Sequence, residues 1–309
     1  MAEVSDTETR IRLWGVRGSI PVPGPATLRY GGNTTCVEIR ADGEIIVLDA
    51  GSGIRALGQQ LQKDFGPRPI KLSLLLTHAH WDHIQGLPFF LPAYKPSSEI
   101  RVFGYGGAQT GLKEILSGQM SMPFFPVRLK DLKGRIEIEE LNQMEFSIGR
   151  IRVQSKFLNH PGVCAGYRLF TSSGSVAFLP DNEPYERHLL QVAEEENLDR
   201  NEAIKNAASE RAALVEFLRD ADALILDAQY TDEEYETHIG WGHSSLSAAV
   251  SHALDANVRK LLLFHHDPDH DDDMVDSMVS RAREIVAESG KKLEVIAASE
   301  GDEIFLNKG

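Results

Sequence analysis

A chain of 309 residues in which 42% are hydrophobic and 25% are charged has the composition of a folded globular protein, which argues against a disordered chain. Its 46 acidic and 32 basic residues give a formal net charge of −14, which disfavours long nucleic acids as partners. The sequence shows neither a membrane-spanning apolar stretch nor a signal peptide, so we expect a cytoplasmic protein that makes no membrane contact.

The first two thirds of the chain predict many short strands and few helices. Apolar and alternating segments predict strands, and the amphipathic segment 53–63 predicts a helix. The predicted strands are 11–14, 35–39, 44–48, 72–76, 100–103, 135–138, 151–155, 167–170 and 175–179. The middle of the chain is therefore rich in β structure.

The last part of the chain returns to alternating helices and strands. The charged stretch 183–220 is poor in glycine and proline and predicts two amphipathic helices, which we interpret as an insertion that forms a cap or a dimer surface. The remaining predictions are strands at 223–226, 260–264, 293–296 and 303–306 and helices at 245–254 and 274–288. The pattern predicts a single α/β domain over residues 1–309, without tandem repeats.

The segment from Thr77 to His83 carries the strongest chemical signal. An apolar strand runs there into four polar side chains, His78, His80, Asp82 and His83. Histidine nitrogen and carboxylate oxygen are ligands that zinc and similar ions prefer. Four ligands so close in sequence cannot easily surround one ion, so they favour two adjacent ions that are completed by residues from elsewhere.

Three later positions place such residues where a predicted strand ends. His160 precedes a Pro-Gly turn, Asp181 follows an apolar strand, and either His265 or His266 terminates another. Each of these alone is more often a loop or capping residue. Their coincidence with the 77–83 segment favours a role as metal ligands.

Together these residues resemble the metallo-β-lactamase superfamily, and the resemblance covers nearly the whole chain because segment 48–51 is similar to its early Asp motif. It implies an α/β fold of the four-layer αββα sandwich type and two divalent metal ions, zinc first, with manganese or iron as alternatives. One ion would be held by His78, His80 and His160, the other by Asp82, His83 and the final histidine, with Asp181 bridging. We favour His265 as that histidine, because the family's last ligand also follows directly on its strand.

Within the superfamily, the sequence is most similar to the branch that contains ribonuclease Z and small cyclic phosphodiesterases. Segments 15–21 and 30–34 resemble the glycine-rich opening of that branch, which makes Arg17 and Asn33 candidate substrate contacts. Arg17 could equally pair with a surface acid instead of touching a phosphate. Segments 221–228 and 242–245 resemble its strand ending in an acid and its His-Ser/Thr motif. The resemblance thus gives Asp227 and His243, together with Asp82, as candidate catalytic residues.

The implied reaction is the hydrolysis of a phosphodiester by a metal-bound hydroxide, with a proton delivered to the departing alkoxide. The resemblance assigns that proton to His243, oriented by Asp227, although ribonuclease Z usually has the longer glutamate at this position. The structural alternative is that His243 and Ser244 cap the helix that begins at 245.

The expected substrate is a small or cyclic phosphodiester such as a cyclic nucleotide. Ribonuclease Z carries an RNA-grasping arm between its lone histidine and its bridging aspartate, whereas only 20 residues, 161–180, separate His160 from Asp181 here. Two alternatives stay open: a carboxyl ester, thioester or lactone hydrolase, and a non-catalytic metal-binding regulatory protein. A homodimer is a further option, since relatives often dimerise.

Overall fold

The computed structural model describes residues 8–107, 109–122 and 124–307. The strands are β1 (Glu8–Gly15), β2 (Cys36–Ala41), β3 (Glu44–Leu48), β4 (Lys71–Leu75), β5 (Glu99–Gly104), β6 (Arg135–Glu140), β7 (Glu145–Ile148), β8 (Ile151–Phe157), β9 (Ala165–Thr171), β10 (Gly174–Leu179), β11 (Ala223–Asp227), β12 (Lys260–Phe264), β13 (Glu294–Ala297) and β14 (Glu303–Asn307). The α-helices are α1 (Ile54–Phe65), α2 (Trp81–Ile84), α3 (Leu112–Gln119), α4 (Tyr185–Glu195), α5 (Arg200–Leu218), α6 (Asp232–Tyr235), α7 (Leu246–Asp255) and α8 (Asp272–Ser289).

The strands form two mixed sheets of seven strands each. The first sheet has the order β14-β1-β2-β3-β4-β5-β6, and the second has the order β13-β12-β11-β10-β9-β8-β7. In the first sheet β3, β4, β5 and β6 are parallel, and in the second β10, β11, β12 and β13 are parallel. Since parallel strands end at the same edge of a sheet, the segments that follow them lie side by side.

Three apolar clusters show how the layers pack. The central cluster joins side chains from both sheets, such as Ile39 and Leu48 from the first and Leu169 and Phe178 from the second. A second cluster packs α1 and α3 against the outer face of the first sheet, and a third packs α4, α5, α7 and α8 against the outer face of the second. The protein is therefore a four-layer αββα sandwich, as the sequence predicts.

Local sequence signals explain where the long helices begin and end. Asp199 caps α5 by accepting hydrogen bonds from two backbone N–H groups, and Ser245 and Asp271 cap α7 and α8 by accepting one each. Helix α8 ends at Gly290, whose φ of 66° is the left-handed conformation common at helix ends. Within the described residues, no helix is both long enough and apolar enough to cross a lipid bilayer.

Every strand and helix predicted from the sequence is present, with ends within three residues of those expected. The prediction misses β7, α2, α3 and α6. Strand β7 has only four residues at the edge of its sheet, and α2 and α6 are single turns, so each is too short to show a hydrophobic period. Helix α3 contains a glycine and follows a glycine-rich loop, which weakens its helical pattern.

Candidate metal centre

The predicted ligands meet at the carboxyl ends of parallel strands. The segment 77–83 follows β4, Asp181 follows β10, and His265 follows β12, while His160 lies beyond the end of β8. Because the two sheets face each other, these ends converge from both sides. The fold thereby gathers residues that are up to 187 positions apart, from His78 to His265.

The converging side chains form two groups that share Asp181. In each group the potential ligand atoms all lie within 4.8 Å of one another. The first group is His78, His80, His160 and Asp181, and the second is Asp82, His83, Asp181 and His265. Asp181 Oδ2 lies 3.6 Å from His160 Nε2, whereas Oδ1 lies 3.1 Å from His83 Nε2, so each oxygen faces one group.

The unpaired atoms of these groups fit divalent cations. His78 Nε2, His83 Nε2 and Asp181 Oδ1 are buried without a hydrogen-bond partner among the described residues. An unsatisfied buried polar atom costs about 1 to 3 kcal/mol, and all three point into the shared space. Nitrogen and oxygen donors without a thiolate suit zinc, and also manganese or iron. The residues therefore fit two divalent ions.

Metal ligands must be free of protons, and the lowered pKa values of His78 and Asp181 favour that state. Burial, helped by the nearby His83, holds the pKa of His78 well below its usual value, so its imidazole is neutral. Burial opposes the charge of Asp181, but the His265 and His83 rings overcome it and keep the pKa of Asp181 well below its usual range. His83 differs: burial lowers its pKa, but Asp181 and Asp82 outweigh burial and raise it well above normal. A cation would displace that proton.

His83, His160 and His265 are each oriented by a hydrogen bond on Nδ1. His83 Nδ1 donates to Asp49 Oδ2 at 2.8 Å, and Asp49 also accepts the Thr77 N–H at 2.8 Å. Asp49 has a φ of 61°, so this aspartate is held in an unfavourable backbone conformation at the end of β3. It thus links the end of β3 to both ends of the 77–83 segment.

The adjacent His265 and His266 have different partners, the first in the site and the second in the core. His265 Nδ1 donates to Gln229 Oε1 at 2.9 Å, and its Nε2 lies 3.2 Å from Asp82 Oδ2. His266 instead donates from Nε2 to the Ala298 carbonyl at 2.9 Å, and burial lowers its pKa to about 3. The structure therefore places His265, and not His266, in the second group.

The loop before α7 fixes His160. His160 Nδ1 donates to the Gly242 carbonyl at 2.9 Å. Gly242 has a φ of 89°, and a Cβ at this position would lie 2.3 Å from His160 Nδ1, so only glycine fits. The buried Glu183 holds the same loop, since its carboxylate accepts the N–H groups of Gly240 at 2.7 Å and Gly242 at 2.9 Å and the Tyr235 hydroxyl at 2.9 Å.

Asp227 and His243 lie beside the two groups as a hydrogen-bonded pair. His243 Nδ1 donates to Asp227 Oδ2 at 3.0 Å, so the shorter aspartate reaches the ring. The same carboxylate accepts the backbone N–H groups of Asn182, Gln229 and Ser244. Burial lowers the pKa of His243, but Asp227 overcomes it and raises the pKa to about 9. The cap of α7 is Ser245 rather than His243.

Comparisons with known proteins agree with this geometry. The sequence model of the metallo-β-lactamase superfamily matches residues 29–162. Among solved structures, the metallo-β-lactamase fold protein YhfI from Bacillus subtilis aligns with a TM-score of 0.67 at 16% identity, over 97% of this chain and 99% of its own. The chain is a metallo-β-lactamase-fold protein.

Two further relatives of this metallo-β-lactamase-fold protein come from the branch that the sequence resembles. Ribonuclease Z of Bacillus thuringiensis (strain Al Hakam) is 27% identical over 254 residues, which are 74% of this chain and 80% of that protein. A diphosphatase of the PhnP family aligns with a TM-score of 0.62 at 16% identity, over 96% of this chain and 97% of its own. The resemblance predicted from the sequence is confirmed.

The structure shows the protein partners of Arg17 and Asn33, whose contact with the substrate of this metallo-β-lactamase-fold protein stays a prediction. Arg17 is fully buried, and its guanidinium donates to three backbone carbonyls, those of Gly31, Asp267 and His270. Asn33 donates from its backbone and from its side chain to the Glu300 carboxylate. Both residues therefore tie the glycine-rich opening to the loops that follow β12 and β13.

Three residues near the site are not among the site residues predicted from the sequence. Ser19 donates its backbone N–H to Asp82 Oδ2 at 2.8 Å, Gln229 orients His265, and Glu183 holds the loop that carries His243. Glu183 and Gln229 each stand two residues after a predicted site residue, Asp181 and Asp227. That spacing is the one feature of the sequence that could have pointed to them.

Proposed function

We propose that this protein is a dinuclear metal-dependent hydrolase of small phosphodiesters, including cyclic nucleotides. The observation that carries the proposal is the position of the Asp227–His243 pair. The His243 ring stacks on His265 with 4.9 Å between ring centroids and lies 5.3 Å from His160, so it borders both groups of potential ligands. A proton donor at that edge suits a reaction in which an alkoxide departs.

Each site residue has a distinct role in the proposal. His78, His80 and His160 would hold one ion, Asp82, His83 and His265 would hold the other, and Asp181 would be shared. Two bound ions would supply an activated water and Lewis-acid stabilisation of charge on the phosphoryl oxygens. The Ser19 N–H fixes Asp82 Oδ2 toward the second ion.

Proton delivery is the task of His243. When water adds to phosphorus, the bond from phosphorus to the departing alcohol oxygen breaks, and that oxygen needs one proton. His243 supplies it from Nε2, while the Asp227 carboxylate holds Nδ1 and stabilises the charged ring before the transfer. Proton donation of this kind contributes about 10² to 10⁴ in rate.

A small substrate is favoured over a folded RNA. The segment between His160 and Asp181 is filled by β9 and β10, which pair as a hairpin through a short turn. The net charge of −14 adds to that argument, because a long polyanion would meet repulsion over most of the surface. The names ribonuclease and diphosphatase both denote enzymes that cleave phosphorus–oxygen bonds, which supports the reaction class.

A substrate screen tests the proposal. Protein loaded with zinc or manganese is assayed with bis(p-nitrophenyl) phosphate, cyclic nucleotides and acyl thioesters. We expect turnover of the phosphodiesters. Turnover of acyl compounds alone would favour an ester, thioester or lactone hydrolase, and turnover of none under any metal would favour a metal-binding regulatory protein.

Two substitutions separate catalysis from metal binding. Asp181→Ala should abolish activity and lower the metal content below two ions per chain, because both groups lose a shared oxygen. His243→Ala should keep two ions and lower kcat by about 10² or more. A His243→Ala protein that is as active as the wild type would contradict the assigned proton donor.

A further inference from the structure

A cavity of about 420 Å³ opens beside the second group of potential ligands. His243 lines it, and so do Ser19 and Gln229, whose hydrogen bonds hold Asp82 and His265. The alcohol that receives a proton from His243 must lie next to that ring. The cavity is therefore where the departing half of a substrate would sit.

One wall of the cavity is aromatic. The rings of Tyr230 and His238 stack with 4.5 Å between their centroids, and Trp241 meets His238 edge-on at 4.6 Å. The Trp241 side chain is 60% exposed, which is unusual for tryptophan and leaves a ring free for contact. Exposed aromatic rings of this kind stack with planar bases.

The cavity is also lined by acidic residues. Glu234, Asp267 and Asp269 line it, and none of the described lining residues is a lysine or an arginine. Two of the carboxylates are fixed, because Glu234 accepts from His270 Nε2 at 2.9 Å and Asp267 accepts from Gln229 Nε2 at 2.8 Å. Fixed carboxylates accept hydrogen bonds from amino and hydroxyl groups and repel phosphate.

We propose that this cavity is the leaving-group subsite and that it selects a nucleoside which carries no phosphate other than the one being hydrolysed. The aromatic wall contacts the base, and the carboxylates contact its amino group or the sugar hydroxyls. This inference rests on the proposed phosphodiesterase function and narrows its substrate class. It also predicts discrimination against substrates with a terminal phosphate.

The test compares adenosine 2′,3′-cyclic phosphate with the same compound carrying a 5′-phosphate. Both oxygens that can depart belong to the same nucleoside, so the extra phosphate always lies on the leaving side. We expect kcat/KM to be at least tenfold lower for the 5′-phosphorylated compound. Asp269→Asn should reduce that difference at least threefold, whereas Glu194→Asn, a change at an exposed acid on α4, should leave it unchanged.

Trp241→Ala tests the aromatic wall separately. We expect KM for adenosine 2′,3′-cyclic phosphate to rise about tenfold, and KM for the ring-free glycerol 1,2-cyclic phosphate to rise less than twofold. Leu198→Ala, at a residue that is 61% exposed outside the cavity, serves as the matched control. Adenosine itself should inhibit the wild type competitively and inhibit Trp241→Ala at least tenfold less well.

The outcomes distinguish this inference from the function on which it rests. The subsite is refuted if bis(p-nitrophenyl) phosphate is hydrolysed but both cyclic compounds are cleaved equally well. It is also refuted if Trp241→Ala affects ring-bearing and ring-free substrates alike. In both cases the proposed phosphodiesterase function is unaffected. If no phosphodiester is hydrolysed with any metal, both the subsite and the proposed phosphodiesterase function are refuted.

Discussion

Replacing Glu183 by glutamine or alanine would measure how far one buried carboxylate holds the loop between α6 and α7. Its Oε1 accepts the Tyr235 hydroxyl and the Gly240 N–H, and its Oε2 accepts the Gly242 N–H. The loop carries His243, and the Gly242 carbonyl orients His160. A change at Glu183 therefore reaches both the ligand ring and the proton donor without touching either.

The size of the effect follows from the number of donors left without a partner. In Glu183→Ala the buried Tyr235 hydroxyl and Gly242 N–H lose their acceptor, at about 1 to 3 kcal/mol each, whereas the N–H of the exposed Gly240 can bond to water. We therefore expect the free energy of unfolding to fall by at least about 2 kcal/mol. Glu183→Gln keeps one oxygen for Tyr235 and Gly240 and turns an NH₂ group toward the Gly242 N–H. With one bond lost, we expect a fall of about 1 to 3 kcal/mol.

Urea unfolding followed by circular dichroism measures these losses, and metal titration measures the effect on the ions. Because Gly242 orients His160, the Glu183→Gln protein should bind the first ion about 10- to 100-fold more weakly. Tyr235→Phe is the control, since it removes one hydrogen bond of Glu183 and leaves the two loop N–H groups paired. Equal unfolding midpoints for Glu183→Gln, Glu183→Ala and wild type would refute the reasoning.

The other predictions concern the metal groups and one buried histidine. Asp49→Asn removes the carboxylate that orients His83 and should weaken the second ion by about 10- to 100-fold in a metal titration, with the αββα fold retained by circular dichroism. His265→Ala should bind one ion per chain by elemental analysis and His266→Ala two; the reverse pattern would show that His266 is the ligand. His252 is fully buried without a partner among the described residues, and burial, aided by the nearby Arg211, lowers its pKa to about 4. Since its pKa in the unfolded chain is about 6.5, the folded state resists protonation, and this contribution to stability is complete above that pH and is lost as the pH falls toward 4, by about 3 kcal/mol. His252→Leu should flatten urea midpoints between these pH values, and an unchanged slope would contradict the assignment.

The contiguous part of the site could be predicted because its polar residues lie close together in the sequence. Three histidines and an aspartate within residues 78–83, following an apolar strand, have few structural explanations. His160, Asp181 and His265 could be added because each stands where a strand ends, and the parallel strands bring those ends together. The α/β class followed from the alternation of strands and helices, and the four-layer order followed from the family resemblance.

The residues whose surroundings the sequence did not reveal depend on contacts between distant segments. Arg17 lies in the glycine-rich opening, yet two of its three carbonyl partners are about 250 positions away, at Asp267 and His270. Glu183 was read as the start of a charged helical stretch, although it is buried by a loop more than 50 positions further along. Burial and backbone partners of this kind have no local pattern.

The single peptide unit at Gly242 connects a metal ligand with the proton donor. Its carbonyl meets the imidazole of His160, and the next residue is His243. Exchanging zinc for a larger ion would shift His160 and, through this unit, the acid that serves the departing oxygen. Metal substitution would therefore change both the Lewis acidity of the ions and the position of His243. Comparing wild type with Asp227→Asn at constant metal isolates the effect of His243.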